Sequence, residues 1–125
     1  MPQMITLIPI CIALLITGLA LPLAIGRVPP NAFYGYRTRT ARSDPAIWYA
    51  TNRTAAHWLM IISAWVIAAV ATMNLLGAPP ITTLLVGANL MAIGAVLGGL
   101  LAWRLERRMV AGTSRDHRDP TTNAR

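Results

Sequence analysis

Residues 54–101 read TAAHWLMIISAWVIAAVATMNLLGAPPITTLLVGANLMAIGAVLGGLL, a run without a single Asp, Glu, Lys or Arg that is punctuated only by Gly77-Ala78-Pro79-Pro80. A helix needs about 20 apolar residues to cross the hydrocarbon core of a bilayer. The Gly-Pro break therefore divides one run into two spans, expected at about residues 57–76 and 81–103. A second charge-free run at the N-terminus supplies another span, at about residues 4–25. Its opening Met1-Pro2-Gln3 has no basic side chain and its apolar run is longer than a signal-peptide core, so it is read as retained. Pro9 and Pro22 fall inside it, and Pro22 is expected to bend or end the helix.

Composition agrees with a membrane protein. The 125 residues are 55% hydrophobic and only 12% charged, with 11 basic side chains against 4 acidic ones and a formal net charge of +7. Every basic residue is Arg. These arginines lie between apolar stretches and are not interleaved with exposed aromatics, which argues against a nucleic-acid module. The single Cys11 excludes an intramolecular disulfide and a cysteine-based metal cluster, and no cofactor is implied. No Ser/His/Asp, Cys/His or HExxH arrangement points to catalysis.

The position of the arginines predicts topology. Arg27, Arg37, Arg39, Arg42 and Arg53 follow the first span, and Arg104, Arg107, Arg108, Arg115, Arg118 and Arg125 follow the last, whereas the N-terminus and the turn at 77–80 carry none. Under the positive-inside rule the N-terminus lies outside, the first loop and the C-terminus lie in the cytoplasm, and the turn lies outside. Arg104, Arg107 and Arg108 are placed to meet anionic lipids of the inner leaflet. The fold class is all-α integral membrane: three transmembrane helices with a cytoplasmic, motif-bearing loop between the first two. Residues 1–111 form the membrane domain, and the polar segment 112–125 is expected to be a disordered basic tail.

Packing expectations follow from small and polar residues. Gly94 and Gly98, continued by Ala102, form a stripe that admits a close helix, with Ala64, Ala68 and Thr72 offered by the neighbouring span. The four-residue turn favours an intramolecular hairpin over homo-oligomer formation for that face. Asn74 and Asn89 are expected to bond between helices.

The loop is chemically more particular than a connector requires. Pro29-Pro30-Asn31 breaks the first helix, and Gly35 between two tyrosines suggests a positive φ. In Arg37-Thr38-Arg39-Thr40, extended backbone would put both arginines on one side and both threonines on the other. Ser43-Asp44-Pro45 reads as a helix start, with Asp44 or Ser43 as N-cap, and Trp48 and Asn52 then share a face. Taken singly, these residues also fit an interfacial amphipathic helix with Trp48, Tyr49 and Trp58 as an aromatic belt.

Read together, Asn31, Gly35, Arg37, Thr38, Thr40, Ser43, Trp48, Asn52 and Arg53 resemble the signature of the SdpI family, small bacterial membrane proteins named for an immunity protein against a secreted killing peptide. The resemblance implies a non-enzymatic protein of the bacterial plasma membrane whose cytoplasmic motif is its working surface. For the founding member it implies toxin immunity and capture of a transcriptional repressor. The expected partners are thus a peptide toxin or a cytoplasmic regulatory protein. A structural or accessory membrane subunit is the alternative; a small proton-coupled transporter fits less well, since no span holds a carboxylate.

Overall fold

A computed structural model describes residues 2–116 of the chain. Its elements are α1 (Pro2–Ala24), a short α2 (Arg39–Ser43), α3 (Pro45–Leu75) and α4 (Pro80–Asp116). Three of these, α1, α3 and α4, are long and apolar enough to cross a membrane. Only 22%, 17% and 17% of their most apolar windows is buried inside the protein. The apolar surface therefore points outward, which water would penalise and lipid does not.

Local chemistry sets each boundary. Helix α1 ends in a Schellman motif: Gly26, at φ 70°, donates its N–H to the Leu23 carbonyl, and Arg27 donates to that of Pro22. Pro22 thus sits in the last turn, its ring inside the helix and its carbonyl satisfied from beyond. The same device closes α3, where Gly77 (φ 71°) bonds back to Asn74 and Ala78 to Met73. Helix α3 opens as expected, with the Asp44 carboxylate accepting from the Ala46 and Ile47 amides and Pro45 in the first turn. The helix that starts in the loop runs unbroken into the second span.

Helix α3 is the centre of the bundle and packs against both α1 and α4. Its contact with α1 is centred on Ala20, Leu23 and Ala24 with Ala56 at one end, and on Ala13 with Val66 and Val70 further along. The glycine stripe of α4 does face α3, but what fills it differs from expectation. A Cβ on Gly94 would lie 2.4 Å from Ile62, one on Gly98 2.9 Å from Trp58, and one on Gly87 2.7 Å from Pro9 of α1. Ala64, Ala68 and Thr72 are exposed on the opposite side of α3. Large knobs enter glycine holes, and close approach of two small stripes is not used.

Three further expectations change. Asn74 and Asn89 do not bridge helices; each donates to the carbonyl four residues back, Val70 and Leu85, and stays exposed. Residues 39–43 are helical, because the Thr38 hydroxyl caps Ala41 and turns the chain, so the strand-like alternation over 37–40 does not form. Helix α4 continues to Asp116, so residues 112–116 of the segment expected to be disordered are helical. Good helix formers at 104–111 and a Met109 contact with the Ala41, Ile47 and Trp48 cluster carry it past the span. The remainder of that segment, 117–125, lies outside the described residues.

Gly98→Leu should force Trp58 from its seat and lower stability by about 1–3 kcal/mol, as overpacking typically does. Thermal unfolding in detergent measures this, with Gly18→Leu as comparison, since a Cβ at Gly18 meets open space.

Candidate functional site

The segment from Gly26 to Asp44 folds over the end of the bundle at which α1 finishes and α3 begins. It is stitched down by side chains that the sequence places far apart. Asn31 forms an Asx turn: its carbonyl oxygen accepts from the Phe33 and Tyr34 amides at 2.9 and 2.8 Å, and its amide donates to the Pro29 carbonyl. The turn sends Tyr34 inward against Ala20, Leu23, Ala24 and Ala56 and leaves Phe33 90% exposed. Burial raises the Tyr34 pKa above its ordinary value.

Asn52, 2% exposed on α3, acts as a stretch of backbone would. Its carbonyl oxygen accepts the Tyr36 N–H at 2.6 Å, and its amide donates to the Tyr36 carbonyl at 3.2 Å and the Trp48 carbonyl at 3.0 Å. This approach requires Gly35. Its φ is 99°, and a Cβ there would sit 2.2 Å from the Asn52 oxygen. Trp48, fully buried, ties the start of the loop with an indole N–H donated to the Val28 carbonyl at 2.9 Å. The sequence spacing that put Trp48 and Asn52 on one face thus places both against the loop.

Thr38 and Tyr36 reach α4. The Tyr36 hydroxyl donates to Glu106 at 2.8 Å, and the Thr38 hydroxyl donates to the other oxygen of that carboxylate. Glu106 is only 6% exposed. Desolvation, then the hydrogen bond to Glu106 and its negative charge, raises the Tyr36 pKa well above the ordinary tyrosine value. Sequence reading passed over both Tyr36 and Glu106. The available signal was the inner stripe of α4: Gly94, Gly98 and Ala102 are four residues apart, and the next position on it is Glu106.

The other motif residues are closer to solvent. Arg37 is exposed, with its guanidinium donating to the Ala32 carbonyl at 2.8 Å. Ser43 donates to the Thr40 carbonyl and so closes α2, leaving the capping of α3 to Asp44. Two open depressions result. One, about 520 Å³, is lined by Ala32, Gly35, Tyr36, Arg37, Thr38 and Arg42. The other, about 490 Å³, lies between Thr38, Thr40 and the α4 face carrying Trp103, Glu106 and Arg107. There the Arg107 guanidinium stacks 4.5 Å from the Trp103 ring. Among the described residues no group of His, Cys, Asp and Glu side chains is arranged to hold a metal ion.

The model of the SdpI/YfhL protein family matches residues 27–105, which take in the whole motif, α2, α3 and α4 as far as the residue before Glu106. No curated protein and no solved structure matches the chain.

Gly35→Ala should cost about 1–3 kcal/mol locally, from left-handed strain and loss of the Asn52 clamp. Hydrogen exchange at the Tyr36 amide should accelerate while the middle of α3 keeps its protection. The Tyr36 phenol contributes at neutral pH, because the protonated form is the donor; that contribution is lost as pH rises past about 10, where an unfolded tyrosine ionises. An alkaline stability profile that falls less steeply for Tyr36→Phe than for the native chain is the expected outcome.

Proposed function

Because the chain belongs to the SdpI/YfhL protein family, we propose that it is a non-enzymatic, multi-pass membrane protein that works by binding a partner at the loop end of its bundle. The observation that carries this reading is a preformed surface: the Asn52 and Glu106 clamps fix the backbone of residues 36–38, and Arg37 and Arg42 line an open depression upon it. A loop already ordered loses little entropy on binding. A guanidinium offers a planar fork of donors suited to a carboxylate, so the ligand is an acidic segment.

The arginine distribution supports an orientation with this end of the bundle in the cytoplasm and the N-terminus and the turn at 77–80 outside. Of the two roles attached to the family, membrane signalling through a cytoplasmic regulatory protein fits this surface directly. Immunity to a toxic peptide would use the same protein against a ligand arriving from the other side.

Reporter fusions at residue 78 should register outside and fusions at residue 42 inside. Arg37→Lys keeps the charge that sets topology but loses the fork, so expression and orientation should be unchanged while retention of the partner from detergent extracts drops about tenfold, the range expected for one charge-assisted bidentate bond. Arg39→Lys, outside the depression, should behave as the native chain. Equal retention by both variants would remove Arg37 from the binding surface.

A further inference from the structure

Asn89 stands out on the face of α4 that turns away from the bundle. Helix α4 begins at Pro80, so Asn89 lies about 13 Å along the axis at 1.5 Å per residue, deep inside a hydrocarbon core about 30 Å thick. It is exposed, and its one hydrogen bond uses a single amide proton, given to the Leu85 carbonyl at 2.8 Å. The amide oxygen and the second proton have no partner among the described residues. Asn74 is equally exposed but stands at the end of α3, one residue before its last, where water is available. At the depth of Asn89 there is neither water nor lipid headgroup to bond, and an unsatisfied amide is costly.

We infer that Asn89 is the centre of a contact between two copies of this chain, with α4 packed against α4. A primary amide is donor and acceptor at once, so it is complementary to itself. Two copies with the same orientation in a bilayer are related by an axis along the membrane normal. Equal depths then meet, and Asn89 faces Asn89. The surface around it suits a second helix. Leu85, Ala88, Ala92, Val96 and Gly99 lie on the same side, by helical spacing, and none of them is buried. Gly99 is the telling member: Gly87, Gly94 and Gly98 are each filled by a side chain of the same chain, whereas beyond Gly99 the space is open. A partner backbone can approach there without displacing anything.

The test uses full-length protein in lipid vesicles, in a Cys11→Ser background. A cysteine at Val96 should cross-link to dimer under mild oxidant, and one at Leu97, which points to another side of the helix, should not. Asn89→Leu should weaken dimerisation, read by energy transfer between labelled copies at varied protein-to-lipid ratio, by roughly three- to thirty-fold, the worth of interhelical polar contacts in membranes. Because the amide's one hydrogen bond among the described residues stays within its own helix, the monomer should unfold at an unchanged temperature. Equal cross-linking at 96 and 97, or a dimer fraction indifferent to Asn89→Leu, would overturn the inference. So would Val96→Cys joining only to a different protein in native membranes and not to itself in vesicles.

Discussion

The structure at the loop end depends on one amide. Asn52 accepts from the N–H and donates to the C=O of Tyr36, a pairing that backbone usually makes with backbone in a sheet. A loop lying against a helix has no strand to bond to, and its polar groups would otherwise be left unpaired at the edge of an apolar bundle. One side chain answers both groups of Tyr36, and the rest follows: Gly35 has to be glycine, Tyr36 points to α4, and Thr38 arrives where its hydroxyl can both cap α2 and donate to Glu106.

Much of this was legible in the sequence for a simple reason: membranes make strict demands on composition. The charge-free runs fix the spans, the Gly-Pro break fixes the turn, and Asp44-Pro45 fixes the start of α3, since each rests on residues adjacent in the chain. Gly35 could be read as a positive-φ position from its neighbours. Glu106 could not be read in the same way. Its partners are 70 and 68 residues earlier, and an acid among three nearby arginines looks like charge balance. Arg37 to Thr40 misled because alternation and a threonine cap look alike over four residues. Thr38 decides between them by bonding to Ala41. The glycine stripe pointed the right way but could not name its filler, because Ile62 and Trp58 are chosen by the crossing of two helices and not by spacing along either.

Asn74 and Asn89, both exposed, show how depth changes the meaning of one residue type. Both satisfy a proton within their own helix, the cheapest partner on offer. Near water that is sufficient. In hydrocarbon the leftover half of the amide remains a constraint on whatever lies alongside.

The carboxylate of Glu106 also imposes an order on biogenesis. Its two hydroxyl donors emerge from the ribosome long before it does, separated from it by both later spans. While the first span and loop are being delivered to the membrane, Tyr36 and Thr38 have nothing on α4 to bond to, and Arg37 and Arg42 hang from an unfinished edge. The surface closes only when the last span has been laid against α3 and the chain beyond it has come out on the same side as the loop. A protein that inserted α4 wrongly would therefore carry an intact loop sequence and no assembled face, so that the proposed binding surface doubles as a register of complete insertion.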